Sequence, residues 1–199
     1  MNVLFLIGTV LGVGALALGA LAMLLAGARL KAGVLGAIGA GWTVVYLAMV
    51  IGASLLSHDQ VLAQADTKRF CGFYFDCHVG VSVVGDSAAF THAGVIHLVT
   101  LRFSSTAARE TLTPWQVETF IQGGDGSRYP GEPAGRAEME RPIPAGGAYD
   151  VVVRFEVPRS LSVSRLMVRQ GGDFLFPEVL LIGDEASLLH RKTWLALPA

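Results

Sequence analysis

Charge is scarce in this chain. Only 16% of its 199 residues are Asp, Glu, Lys or Arg, against about 25% in an average globular protein. The shortage is concentrated: residues 1–57 contain no Asp, Glu or His, and their only basic side chains are Arg29 and Lys31. Proton relays, ion paths and transport sites need polar groups at membrane depth, and haem or chlorophyll ligation usually takes an embedded histidine. The first 57 residues offer none of these, so no cofactor is expected. Two cysteines are too few for a disulfide-rich scaffold. The basic surplus that nucleic acid requires is missing as well. Of 15 Lys+Arg, two fall in the first 57 residues, leaving 13 against 16 Asp+Glu, a net −3 in the remainder. No Gly-x-Ser-x-Gly, His-Glu-x-x-His or Gly-x-x-x-x-Gly-Lys is present, so the usual hydrolase, metalloprotease and nucleotide-loop signatures are absent. Gly12, Gly14 and Gly19 mimic part of a nucleotide loop, but they fall inside an apolar run.

Long hydrophobic runs are present instead. A helix needs roughly 20 apolar residues to cross the hydrocarbon core, and residues 2–28 and 32–57 each supply that length. The few residues between them force an antiparallel transmembrane hairpin. No Lys or Arg precedes Arg29, whereas a cleaved signal peptide carries a basic start; the first run therefore reads as an uncleaved anchor. Arg29 and Lys31 in the tight loop place that loop in the cytoplasm by the positive-inside rule. The C-terminal domain then lies on the periplasmic, extracytoplasmic side of a bacterial inner membrane, although Lys68 and Arg69 pull the other way. Gly8, Gly12, Ala15, Gly19, Ala22 and Ala26 recur at steps of four and three, and the second run carries Ala37, Gly41, Ala48 and Gly52. Such small-residue stripes let helices approach closely in lipid, either within the hairpin or against other membrane helices. Trp42 and Tyr46 fall mid-span, away from the interfacial belts.

Residues 58–69 form a polar connector, read as a short extension of the second helix. Beyond residue 70 a period of two takes over. Val95, His97, Val99, Leu101 and Phe103 share one strand face, and Val151, Val153, Phe155 and Val157 share another, with Asp150, Arg154 and Glu156 outward. Further strands are predicted at 79–84, 117–122, 163–169, 174–182 and 193–197, separated by turns at 123–126, 144–147 and 171–173. Six or seven short strands with this spacing predict an antiparallel sandwich or barrel over residues 70–199.

Residues 142–149, running into the alternating strand 151–158, have a Pro-Gly turn, a polar/apolar strand and a closing Phe155-Glu156-Val157-Pro158. Together with the hairpin at 125–129 they resemble the immunoglobulin-like, telokin-like extracytoplasmic domains of bacterial lipoproteins and anchored proteins. The resemblance covers roughly residues 79–182. It implies an all-β immunoglobulin-like antiparallel sandwich outside the cytoplasm and carries over no catalytic residues.

Cys71 and Cys77 flank Gly72 and the aromatic knuckle Phe73, Tyr74 and Phe75. On the oxidising side of a membrane the pair reads as a disulfide. Six residues reach about 20 Å when extended, while bridged Cα atoms sit about 5.5 Å apart, so the segment must fold back. The rival is a metal site of Cys71, Cys77 and His78, joined by His92 or His97, although the spacing departs from zinc patterns and from haem attachment. Phe70, Phe73, Tyr74 and Phe75 cannot all face one core, which leaves Phe73, Tyr74 and Phe75 for the membrane surface or a partner. Asp184 and Glu185 beside His190, Arg191 and Lys192 read as a solvated loop.

The expectation is therefore a non-enzymatic, membrane-anchored interaction protein. It would be an accessory subunit whose partners are the lipid bilayer and integral membrane protein subunits of a larger bacterial complex, for example a photosynthetic reaction centre with its light-harvesting ring. The alternatives are an envelope protein handling metal or redox chemistry, and a free-standing ligand-binding or sensor module.

Overall fold

The computed structural model describes residues 2–70, 77–92, 94–133, 136–161, 163–170, 178–183, 185 and 187–197. The chain divides into two compact units, Met1–His58 with Phe176–Arg191, and Asp59–Leu175 with Lys192–Ala199.

The uninterrupted Leu, Ala and Val runs of the first unit form two helices, α1 (Asn2–Leu25) and α2 (Arg29–Leu56). At 1.5 Å per residue they are about 36 and 42 Å long, and both are long and apolar enough to cross a membrane. The turn between them is tighter than the sequence suggests. Gly27 takes a left-handed φ of 77°, the amide of Ala28 donates to the Met23 carbonyl at 2.8 Å and that of Gly27 to Leu24 at 3.0 Å. This 6→1 and 5→2 pair is a Schellman cap. It ends α1 so abruptly that Arg29 and Lys31 lie in the first turn of α2 rather than in a loop. The facing surfaces of the hairpin include Val3, Leu6 and Thr9 on α1 and Ala32, Gly39, Tyr46, Val50 and Ser54 on α2, all buried.

Among its described residues the second unit contains ten strands: β1 (Gln60–Leu62), β2 (Lys68–Phe70), β3 (Val79–Phe90), β4 (Val95–Ser105), β5 (Val117–Gly123), β6 (Arg128–Pro130), β7 (Glu132–Pro133), β8 (Ala148–Val157), β9 (Val163–Gln170) and β10 (Thr193–Ala196), with one helical turn, α3 (Arg136–Met139). They form two five-stranded sheets, in the orders β1-β10-β9-β5-β6 and β2-β3-β4-β8-β7. Pairing is antiparallel except between β1 and β10. One core draws on both sheets: Val81, Val99, Leu101, Phe103, Val153 and Phe155 from the second, Ile121, Leu166, Val168 and Leu195 from the first. These are the inward positions of the period-two pattern. On the opposite face of β4 and β8, Arg102 grips Asp150 at 2.7 and 2.8 Å, which holds the Asp150 carboxyl below the usual carboxylate range. Gly131 carries the chain from β6 to β7. A Cβ there would lie 2.2 Å from Thr119 Oγ1 and 2.6 Å from Val153, so only glycine fits.

Three sequence expectations change. Strand β3 continues to Phe90, well past residue 84, because a bulge between Val83 and Gly85 shifts its register against β4. The bulge inverts the phase. Asp86 pairs opposite the inward-facing Val99, and its carboxylate meets His97 Nδ1 at 3.1 Å with both side chains mostly buried. The connector does not prolong α2. Ser57 turns extended with ψ 155°, and β1 and β2 follow. The strand expected at 174–182 is not formed in its described part, where Glu178–Leu180 is a 3-10 turn in a segment belonging to the helical unit.

Candidate functional site

In the helical unit, residues 178–191 run alongside the end of the hairpin and are tied to it by polar and apolar contacts. Tyr46 Oη donates to the Leu180 carbonyl at 2.8 Å. The buried hydroxyls of Ser54 and Ser187 lie 3.4 Å apart, and the Arg191 amide donates to Ser57 Oγ at 2.9 Å. Leu181 is buried with Val3, Leu6, Tyr46 and Val50. The Leu180 carbonyl, in irregular backbone beside apolar helices, thus finds a protein partner in Tyr46. Tyr46 is buried within this unit, whereas Trp42 keeps 46% of its surface exposed. Trp42 Nε1 donates to Thr9 Oγ1 at 3.4 Å, and Phe5 packs on both rings at centroid distances of 6.3 and 5.7 Å.

The small residues are placed differently from what a hairpin seam would require. A Cβ on Gly19 would meet Leu35 at 3.4 Å, but Gly8, Gly12, Gly41 and Gly52 have nothing within 4 Å in the Cβ direction. Ala15, Ala22, Ala26, Ala37 and Ala48 are exposed as well. Thus Gly19 serves the α1–α2 contact and most of both stripes faces away from it. Gly8 and Gly12 instead floor an apolar groove of about 420 Å³ walled by Leu4, Leu16, Ile38 and Trp42.

Sequence reasoning missed one surface of the β unit. Phe120, Met167 and Trp194 form a separate buried cluster on the strand face opposite Ile121, Leu166 and Leu195. Arginines roof it: Arg165 lies 4.1 Å from the Trp194 ring centre, and Arg128 and Arg169 lie 4.9 and 5.4 Å from that of Phe120. Asp59 and Glu118 pair with Arg165 and Arg169. The signal was available, since adjacent apolar residues at 120–121, 166–167 and 194–195 break the alternation that a one-sided sheet would show. Among the described residues the buried Trp194 Nε1 has no hydrogen-bond partner.

Cys71, Phe73, Tyr74 and Phe75 lie outside the described residues, and with them the disulfide, the aromatic knuckle and the metal alternative. Phe70 is buried in the sandwich core. His78 Nδ1 lies 3.1 Å from Thr106 Oγ1, and His97 is engaged by Asp86. Among the described residues no three His, Cys, Asp or Glu side chains are grouped to hold a metal ion. Glu185, His190 and Arg191 fall in the loop ahead of β10, with Arg191 exposed, and this loop groups with the helical unit; Asp184 lies outside the described residues.

No protein-family model matches the chain, and no curated protein matches it. Among solved structures it is similar to MPT63, a secreted protein of Mycobacterium tuberculosis, with a TM-score of 0.42 and 15% identity, covering 58% of this chain and 92% of that one. That likeness is too slight to bear on fold or function.

Proposed function

We propose that this chain is a non-enzymatic, membrane-anchored accessory subunit. In this reading α1 and α2 span a bacterial inner membrane, the β unit is an immunoglobulin-like sandwich on the extracytoplasmic side, and the hairpin docks onto helices of a larger integral membrane complex. One observation carries the reading. The glycines that permit close helix approach, Gly8, Gly12, Gly41 and Gly52, have nothing within 4 Å in the Cβ direction, so the α1–α2 contact leaves the space beside them unfilled. In lipid, helix association draws on packing and close backbone approach, so an unused small-residue face suits a partner helix bearing larger side chains. The groove over Gly8 and Gly12 offers apolar space of about 420 Å³ on that side. The charge-free spans fit a subunit that holds neighbours and contributes no chemistry of its own within the membrane.

Mild detergent extraction from the native membrane, followed by intact-complex mass measurement, tests this. The native chain is expected in an assembly much heavier than its own mass. The double variant Gly8→Leu, Gly12→Leu fills the groove and should weaken association by about 1–2 kcal/mol, roughly tenfold, with the chain itself still folded. A native chain migrating alone, or a double variant that associates unchanged, sinks the proposal.

A further inference from the structure

The attached segment ends in a feature that neither the hairpin nor the sandwich needs. The His190 amide donates to the Ser187 carbonyl at 3.1 Å, closing a four-residue turn with Leu188 and Leu189 at its tip. Leu189 occupies the third position in the left-handed region, with φ of 63°, where a glycine or asparagine is the usual choice. The strained leucine stays exposed: Leu188 is 46% and Leu189 62% accessible. Leu55 and Leu56, at the end of α2, are 70% and 85% accessible, and Arg191 and His58 are exposed beside them. Two adjacent outward leucines followed by a cation form an amphiphilic tip.

Its depth follows from the helix to which it is bonded. A hydrocarbon core of about 30 Å takes roughly 20 helical residues. Counted from Lys31, that length ends near Ile51, so the rest of α2 rises into the opposite headgroup layer. Ser54, beside Ser187, and Ser57, bonded to the Arg191 amide, lie in that layer, and they carry the Leu188–Leu189 turn with them. We infer that this turn is an interfacial lipid-binding element: Leu188 and Leu189 enter the headgroup–acyl boundary of the leaflet opposite the Arg29–Lys31 turn, and Arg191 contacts the anionic phosphates of its phospholipids. Apolar side chains beside a cation are the chemistry by which interfacial segments hold such a surface. The inference rests on the reading that α1 and α2 span the bilayer.

The test uses the full chain in phosphatidylcholine vesicles with and without phosphatidylglycerol. Spin labels are placed one at a time at Leu189→Cys, at Leu18→Cys in mid-helix and at Glu110→Cys in an exposed loop, with the label on the otherwise unaltered chain subtracted. Collision with oxygen and with a water-soluble nickel complex reports depth. The expected order is Leu18 deepest, Leu189 intermediate and Glu110 in water. Adding Arg191→Gln to the Leu189 variant should lower the ratio of immersed to exposed label in anionic vesicles by about fivefold, the effect of one basic side chain at such a surface. A Leu189 label as water-exposed as Glu110, with Leu18 still immersed, overturns the inference alone. All three labels in water overturn the spanning reading and the inference with it. A Leu189 label insensitive both to Arg191→Gln and to phosphatidylglycerol refutes the phosphate contact.

Discussion

In the β unit the largest apolar side chains are fully enclosed; Phe103, Phe155 and Leu101 have no accessible surface. On α1 and α2 the pattern is reversed, and Leu11 and Leu18 are 68% and 69% exposed. Backbone hydrogen bonds run in ladders between strands in one unit and along each helix in the other. They differ in where apolar surface goes. In the sandwich, burial away from water supplies the stability. In the hairpin the apolar surface points outward and selects the solvent, leaving packing at the seam and a few polar contacts to fix the shape. The same residue types therefore have different energetic roles in the two units.

Truncation should break this comparison most sharply. Phe155→Ala in the sandwich core should lose about 3–5 kcal/mol, whereas Leu18→Ala on the outer face of α1 should stay within about 0.5 kcal/mol. Denaturant unfolding of the full chain in detergent, followed by near-ultraviolet circular dichroism, measures both. Equal losses would show that α1 is enclosed in the way the β core is. A smaller effect is expected at Tyr46→Phe, which leaves the Leu180 carbonyl without the bond it accepts at 2.8 Å. That should cost about 1–3 kcal/mol of local stability, seen as faster amide exchange at Leu188. By contrast, Arg102→Ala on the exposed face of β4 should cost under about 1 kcal/mol. An unchanged exchange rate in the Tyr46 variant would mean that apolar packing alone holds the segment.

A further effect concerns pH. Burial pushes the Tyr149 hydroxyl up to about 12; it donates to the Met139 carbonyl at 2.8 Å and its ring stacks on Phe103 at 5.4 Å. A group whose pKa is raised on folding binds its proton more tightly in the folded state. Its contribution is thus full below the ordinary tyrosine value near 10 and is lost as pH rises from there toward 12. Ultraviolet titration should show Tyr149 of the folded chain ionising late, and Tyr149→Phe should reduce the late amplitude by one tyrosine. A late amplitude unchanged in Tyr149→Phe would assign it elsewhere.

Much of the fold was legible because burial and period coincide. Val95, Val99, Leu101 and Phe103, with Val151 to Val157, announced β4 and β8, and the charge-free runs announced both helices. Elsewhere the local pattern misled for identifiable reasons. The bulge at Val83 and Gly85 inverts the phase of β3, so Asp86, opposite Val99, and the exposed Ala88 read as the end of a strand. Three-residue strands such as β1 and β2 are too short to show alternation. The apolar run beginning at Phe174 looked like a strand, yet the described residues Leu180 and Leu181 contact α1 and α2, a pairing more than 130 residues apart that no local period encodes. In the candidate site, the small residues of α1 were visible at once. Which helix face they occupy relative to the seam was not, because Val3, Leu6, Thr9, Val13 and Leu16 recur at equally helical steps.

The sequence by itself determined two long apolar helices, their antiparallel return and the alternation that builds a two-sheet core, because each follows from local spacing and transfer of apolar groups from water. Only the tertiary structure decided that the glycine stripes look outward, that residues 178–191 belong to the helices, and that a leucine turn sits at their end. Those outcomes depend on which of several apolar faces pack together, and that choice is made by long-range contacts such as Tyr46 with Leu180 and Ser54 with Ser187.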